Sequence, residues 1–226
     1  MSSSILRYLR ALEQNNNRDW YHAHKAEYQQ ATAEFEDIIG RLMVELGKTD
    51  PAILEHEPKS LTFKLNRDTR FSHDKSPYNP SFRCHISPAG KLPIPVGYFL
   101  YVQPGNRSFL GGGLFADMFK DATLRIRNHI NENGEEWNRL INEPSFAENF
   151  RIGGTALKNI PKEYDPNHVA AEYLKYKSWF IEDPFRDELL EDVPAFCDYA
   201  VKRFLLMKDF NDFLNQALKG FRMPER

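Results

Sequence analysis

Apolar residues near the start of the chain recur at the spacing of an α-helix. A first group lies three or four positions apart, at Ile5, Tyr8, Leu9 and Leu12. This spacing predicts a short amphipathic helix. A longer apolar stripe between Phe35 and Leu46 predicts a second helix, which is expected to stop at Gly47. Residues 1–56 are therefore predicted to be helical.

The hydrophobic period changes to two in the middle of the chain, between residues 61 and 113. Apolar and polar residues alternate over 61–66, 82–86 and 98–102, which predicts half-buried strands. A fourth strand is predicted at 107–110, ending in the run Gly111–Gly112–Gly113. Turn-forming sequences link these segments, and consecutive strands joined by turns favour antiparallel pairing.

The rest of the chain is predicted to be mostly helical. Its three parts are a helical region 117–143 with Asp117 as N-cap, a mixed region 144–192 with a strand near 176–181, and a C-terminal helix 193–219. No internal repeat, low-complexity tract or linker divides the sequence. We therefore predict one α+β domain, residues 1–226, in which helices from both chain ends pack on a central, mostly antiparallel sheet.

Composition restricts the class of protein. Charged residues make up 27% of the 226 residues and hydrophobic residues 41%, as in an ordinary globular protein. The 17 phenylalanines predict an aromatic-rich core. A net charge of −2 argues against a chain-wide basic surface, so nucleic acid is not the expected partner.

Cysteine usage and the lack of targeting signals indicate the compartment. The two cysteines, Cys84 and Cys197, form neither a disulfide framework nor a zinc-binding spacing, which favours a reducing compartment. The N-terminus has no apolar signal core, and no apolar run approaches the roughly 20 residues that cross a bilayer. We predict a cytoplasmic protein without a membrane partner; the sequence specifies no oligomeric state.

The segment between the first two predicted strands is unusually basic. From Lys59 to His85 there are six basic residues and two aspartates, a formal charge of +4 with histidine neutral. The six are Lys59, Lys64, Arg67, Arg70, Lys75 and Arg83. If the first two strands pair, their connection is about fifteen residues long, and loops of that length are often functional. We expect Phe71 and Tyr78 to anchor this loop.

An anion-binding site is the functional hypothesis for this segment. Strand alternation predicts that Lys64, Asn66, Arg83 and His85 share the polar face of the sheet, next to the loop. Converging arginines suit phosphate or carboxylate, because guanidinium presents a planar fork of donors. The predicted ligand-binding residues are Lys64, Arg67, Arg70, Lys75, Tyr78, Arg83, Gly111, Gly112 and Gly113. The predicted catalytic residues are Asp68 or Asp74, as orienter or general base, and His85 as another candidate base.

The glycine run at 111–113 has two interpretations. Glycines between a strand and a helix let a backbone approach a phosphate. The run lacks the Lys-Ser/Thr of a P-loop and the spacing of a dinucleotide fingerprint. The alternative is a bulge or tight crossing that leaves no room for a side chain.

Two alternatives to the binding site stay open. The acidic segment 182–198 has seven carboxylates and one arginine, a charge of −6, and is a candidate internal partner for the basic loop. A second alternative is a noncatalytic interaction module whose basic loop meets an acidic partner or a nucleic-acid backbone. No metal-ligand cluster or cofactor fingerprint is present, so we predict neither a metal nor a resident cofactor.

The segment Arg67-Asp-Thr-Arg-Phe-Ser-His-Asp-Lys-Ser-Pro-Tyr78 resembles the signature of a widespread family known as domain of unknown function 2461. The resemblance extends to Asn16-Asn17-Arg18-Asp19-Trp20-Tyr21, to the glycine run and to Ile126-Arg127. The family commonly carries lysine at the position of His73, and often an aromatic residue at that of Asn66. The resemblance implies a single α+β domain of about this length and no established activity.

Overall fold

The helices predicted at the start of the chain are confirmed, and a short additional helix lies between them. The computed structural model describes residues 3–224. The three helices are α1 (Ser4–Gln14), α2 (Arg18–Ala23) and α3 (Lys25–Leu46). The predicted apolar stripes of α1 and α3 are buried, as amphipathic helices require. Asn17 caps α2, because its side-chain oxygen accepts the Trp20 N–H at 2.9 Å.

Five strands form one antiparallel sheet, which confirms the α+β class. They are β1 (Phe82–Ile86), β2 (Tyr98–Val102), β3 (Ser108–Leu114), β4 (Ile152–Gly153) and β5 (Trp179–Phe185). The order across the sheet is β1-β2-β3-β5-β4. The strand predicted at 176–181 is β5, which starts later, at Trp179, and ends later, at Phe185. The glycine run lies inside β3 and not after it.

The strand predicted at 61–66 is wrong. A 3₁₀ turn occupies Pro58–Leu61, and the chain beyond it is extended but makes only isolated bridges. Thr62 pairs with Cys84 of β1, whereas Asn66 pairs with Tyr78. The segment changes partner within four residues, because past Leu65 it leaves β1 and pairs with the returning arm of its own loop. No continuous ladder can form.

The later helices match the prediction in position but not in their ends. They are α4 (Lys120–Glu132), α5 (Gly134–Asn142), α6 (Pro144–Ala147), α7 (Val193–Leu206) and α8 (Lys208–Ala217). Asp117 is not the N-cap of α4, since Phe119 holds that position and Asp117 faces Lys177 at 3.8 Å. The single C-terminal helix predicted at 193–219 is two helices, because the chain turns tightly at Met207, whose N–H reaches Phe204 O.

The chain forms two compact units. The first consists of the residues up to Lys91, Phe99–Leu110 and Pro184–Lys202. The second consists of Leu92–Tyr98, Gly111–Asp183 and the residues from Arg203 onward. No helix within residues 3–224 is long and apolar enough to cross a membrane.

Each unit has an aromatic core, as the phenylalanine content predicts. In the first unit, the rings of Phe35 and Phe82 stack with centroids 5.3 Å apart. In the second unit, Trp137 is fully buried against Phe213 at 5.2 Å and Phe210 at 6.0 Å. Such rings bury large apolar areas and dominate core energetics.

Candidate functional site

The basic loop of the first unit is closed at its base by backbone pairing. Arg67 N–H donates to Pro77 O at 2.9 Å, and Asn79 N–H donates to Leu65 O at 2.7 Å. The connection is therefore a folded hairpin-like loop, residues 67–77, and not a mobile tether. We call it the signature loop.

Tyr78 anchors the signature loop, as predicted. Its side chain is only 5% exposed, and its ring stacks on Tyr21 with centroids 4.4 Å apart. The Asn16 side chain holds the backbone of Tyr78 from both sides, accepting its N–H at 3.1 Å and donating to its carbonyl at 2.9 Å. The second predicted anchor is wrong, because Phe71 is 96% exposed.

The arginines of the signature loop pair with the loop's own aspartates. Arg67 binds Asp74 and also donates to Ser76 O at 3.4 Å. Arg70 forms a two-pronged pair with Asp68, through Nε at 3.0 Å and a terminal nitrogen at 2.6 Å. The predicted alternative, neutralisation by the acidic segment 182–198, is therefore wrong for both arginines.

These pairs make Asp68 and Asp74 weak bases. Hydrogen bonds from the Ser76 hydroxyl and N–H, followed by Arg67, lower the pKa of Asp74. The Arg70 side chain and N–H lower the pKa of Asp68. A carboxylate with a lowered pKa holds a proton poorly near neutral pH. Both aspartates therefore suit the orienting role better than the role of general base.

A polar cleft of about 580 Å³ lies beside the signature loop, within the first unit. It is lined by residues 16–18, 66–67, 69 and 75–78. Among these are three cations, Arg18, Arg67 and Lys75, and no acidic residue. Arg67 is matched by Asp74, whereas Lys75 donates only to the Thr69 carbonyl at 3.0 Å. Arg18 has no hydrogen bond or ion pair with the described residues, 3–224, so the cleft has a surplus of positive charge.

Three of the predicted ligand-binding residues line the cleft, namely Arg67, Lys75 and Tyr78. Lys64 and Arg70 are exposed outside it. Arg83 also lies outside, donating to the Lys64 carbonyl at 3.1 Å beneath the Phe63 ring, and burial lowers the pKa of Arg83.

The predicted polar face shared by Lys64, Arg83 and His85 is not formed. His85 is buried, with 6% of its surface exposed, whereas Lys64 is exposed. Cys84 and its neighbour His85 are both buried, so β1 is covered on both faces at this position. The His85 side chain therefore does not face solvent. Alternation along a strand predicts two faces, but only the packed neighbours decide which face is open.

The glycine run is packed inside the second unit. Gly113 has φ +90 and donates its N–H to the Asn211 side-chain oxygen at 2.7 Å. A Cβ at this position would lie 2.3 Å from the Trp179 carbonyl oxygen. All three glycines, 111–113, are buried. The tight-crossing interpretation therefore accounts for the run.

Sequence reasoning missed Asn16 and Arg18 as site residues. The family resemblance includes residues 16–21, but neither charge nor periodicity links this stretch to the signature loop. Those residues lie about fifty positions from the signature loop, so only the folded chain brings them to one cleft. Both stretches belong to motifs of the same family, and this shared signal could have linked Asn16 and Arg18 to the signature loop.

Fold and site together define the protein as an α+β protein with a five-stranded antiparallel sheet and a cation-lined cleft in its first unit. The sequence model of a family described as conserved hypothetical protein (DUF2461) matches residues 4–213 of the 226. The chain therefore belongs to that family, as its motifs indicate. No significant match is found among curated proteins or among solved structures.

Proposed function

We propose that the cleft binds a small anionic ligand that carries a phosphate or carboxylate group. The observation that supports this proposal is the uncompensated charge of Arg18 and Lys75 in a cleft without acidic lining residues. Cations that are not neutralised by a carboxylate of the protein offer their donors to an oxyanion. The cleft volume of about 580 Å³ falls within the roughly 300–1,000 Å³ typical of small-molecule sites.

The geometry favours binding over turnover. Asp74 is committed to Arg67 and Ser76, which fixes the arginine at the edge of the cleft. The third candidate base, His85, is buried in β1 and does not line the cleft. The lining residues of the cleft include no histidine and no carboxylate, so they can hold an anion but offer no general base.

A thermal-shift screen with inorganic phosphate, phosphorylated metabolites and dicarboxylates tests the proposal. A ligand that binds only the native state at 100 times its Kd stabilises the protein by about 2.7 kcal/mol, so the melting temperature rises. Arg18→Ala and Lys75→Ala should each weaken binding about 10-fold or more, the cost of losing one charged hydrogen bond. Lys59→Ala is the matched control, because Lys59 is an exposed lysine of the same unit that lies outside the cleft.

Two results would contradict the proposal. One is that no anion in the screen stabilises the wild-type protein. The other is that Lys59→Ala weakens binding as much as Lys75→Ala does, since diffuse surface charge and not the cleft would then explain the effect.

A second candidate function is an interaction module that meets an acidic partner or a nucleic-acid backbone, and the tip of the signature loop favours it. Phe71 is almost fully exposed, and the Arg70 guanidinium lies 5.9 Å from the centre of its ring. Aromatic residues and arginine are enriched at protein interfaces.

Fluorescence anisotropy with a labelled glutamate-rich peptide and a labelled oligonucleotide tests this second candidate. The module predicts binding that Phe71→Ser abolishes and Arg18→Ala spares. Affinity for nucleic acid would in addition fall steeply with rising salt. Binding that survives Phe71→Ser would contradict a role for the loop tip.

We also propose a reducing, cytoplasmic setting. Cys84 and Cys197 are both unpaired thiols and both buried. Neither cysteine forms a disulfide, and free thiols are usual in a compartment that keeps thiols reduced. Fractionation of cells that express the tagged full-length chain would test this location.

A further inference from the structure

The cleft beside the signature loop has no aromatic surface on which a base could stack. Within the described chain, Tyr78 is the one aromatic residue that lines it. Its ring is buried and already stacked on Tyr21. Sites that bind nucleobases usually present an open aromatic face, because base stacking provides much of the affinity.

The cleft instead offers uncharged polar groups that the protein does not use. Among residues 3–224, the Asn66 side chain and the Thr69 hydroxyl have no hydrogen-bond partner. Asn17 uses its side-chain oxygen to cap α2, which leaves its NH₂ group uncommitted. An amide and a hydroxyl can both donate and accept, so these groups match the hydroxyls of a polyol.

These uncharged groups accompany the cations of the cleft. Asn17 is next to Arg18, Asn66 is next to Arg67, and Lys75 Nζ lies 3.0 Å from the carbonyl of Thr69. A ligand in this cleft therefore meets positive charge and neutral hydrogen-bonding groups together. A bare oxyanion could accept hydrogen bonds from these neutral groups, but it would leave their acceptor oxygens unused and would fill little of the available volume.

We infer that the ligand is a polyhydroxylated phosphate monoester, a sugar phosphate, and this inference rests on the anion-binding function proposed above. Arg18 and Lys75 receive the phosphate. The amides of Asn17 and Asn66 and the hydroxyl of Thr69 receive the sugar hydroxyls. A nucleobase finds no open aromatic ring in this cleft, and of the two arginines that could stack on it, Arg67 is paired with Asp74 and Arg18 is taken up by the phosphate.

Calorimetric titration of the full-length chain with four probes tests the inference: inorganic phosphate, ribose, ribose 5-phosphate and adenosine monophosphate. Ribose 5-phosphate should bind about 10-fold or more tightly than inorganic phosphate, which corresponds to one or two additional hydrogen bonds. Adenosine monophosphate should bind no more tightly than ribose 5-phosphate, since its base replaces the anomeric hydroxyl and finds no open aromatic ring in the cleft. Ribose alone should not bind measurably.

Two variants separate the phosphate from the sugar contacts. Asn66→Ala should lower the affinity for ribose 5-phosphate about 5-fold and leave the affinity for inorganic phosphate unchanged. Arg18→Ala should lower the affinity for both ligands. Both side chains are exposed, so the variants are expected to fold, and circular dichroism checks this.

Each contrary result points to a different failure. Equal affinity for inorganic phosphate and ribose 5-phosphate, or tighter binding of adenosine monophosphate, would overturn the sugar-phosphate inference and leave anion binding standing. A preference for dicarboxylates in the thermal-shift screen would do the same. An unchanged ribose 5-phosphate affinity in Asn66→Ala would do the same. Failure of every anion to bind would remove the proposed function and the inference together.

Discussion

Arg67 and Arg70 are three positions apart in the signature loop, yet their surroundings differ. The Arg67 side chain is 23% exposed and lines the cleft, with Asp74 beside it. The Arg70 side chain is 77% exposed and does not line the cleft, and Asp68 is its partner. Ion pairs this open to solvent are strongly screened and hold a loop only weakly.

Substitution of the two arginines should therefore give different results. Arg70→Ala should change neither the melting temperature nor anion binding, because water replaces its exposed contacts. Arg67→Ala should weaken anion binding and loosen the loop. Thermal melts and titrations of both variants provide the measurement, and a large loss of stability in Arg70→Ala would contradict this assignment.

A second residue-scale prediction concerns Asp187, which is buried in the first unit. Its carboxylate accepts the N–H groups of Gly105 at 2.9 Å and Asn106 at 3.0 Å and pairs with Arg10 at 2.7 Å. Burial alone raises the pKa of Asp187, but these hydrogen bonds outweigh burial and lower it. Asp187→Asn should cost about 2–3 kcal/mol at pH 7, since one charged acceptor is lost.

The sign of the pH dependence follows from the lowered pKa. The folded state prefers the ionised carboxylate, so this stability is fully present above the unfolded-state pKa of about 3.9 and is lost as pH falls through the folded-state value. Chemical denaturation from pH 7 to pH 3 should therefore show the gap between wild type and Asp187→Asn narrowing towards acid. A gap that is constant with pH would show that the carboxylate charge contributes nothing.

At the scale of elements, a buried amide of α8 bonds two backbone segments of the second unit. The Asn211 side chain accepts the Gly113 N–H at 2.7 Å and donates to the Gly97 carbonyl at 3.1 Å. Asn211→Ala should cost about 2–4 kcal/mol, because it leaves a buried donor and a buried acceptor without partners. Gln216→Ala, an exposed position of the same helix, serves as the control in denaturant titrations and should change little. Equal losses in the two variants would contradict the role of Asn211.

The glycines of β3 and of the chain end give a matched test of backbone packing. Gly113 and Gly220 both have positive φ, +90 and +74, but a Cβ meets the Trp179 carbonyl oxygen only at Gly113. Gly220→Ala should cost about 1 kcal/mol, the conformational penalty alone. Gly113→Ala should cost more than about 3 kcal/mol, because the backbone must also move. Comparable free energies of unfolding for the two variants would contradict the tight crossing.

At the scale of the whole molecule, the two thiols report on unfolding. Burial raises the pKa of Cys84 to about 12 and that of Cys197 to about 11. The thiolate is the reactive form, so neither cysteine should react with a thiol reagent in the native protein at pH 8. Both should react quantitatively in denaturant, and mass spectrometry counts the adducts. Rapid labelling of either cysteine without denaturant would contradict its burial.

Much of the fold was predictable because its signals are local. The apolar stripes of α1 and α3 follow one face of a helix, and the alternation at 82–86 and 98–102 follows one face of a sheet, so each pattern identified its element. The segment 61–66 has the same alternation but forms no strand, because its pairing partner changes from β1 to the signature loop. That choice depends on residues far along the chain.

The candidate site was only partly predictable for the same reason. The sequence by itself determined that residues 59–85 carry a surplus of positive charge and that the family motif extends over most of the chain, and it offered Tyr78 and Phe71 alike as anchors of the loop. The tertiary structure alone decided that Asp74 pairs with Arg67 and Asp68 with Arg70. It also decided that His85 is buried and that Arg18 and Lys75 line one cleft. Charge and periodicity are properties of neighbouring residues, whereas which donors stay unpaired depends on long-range packing.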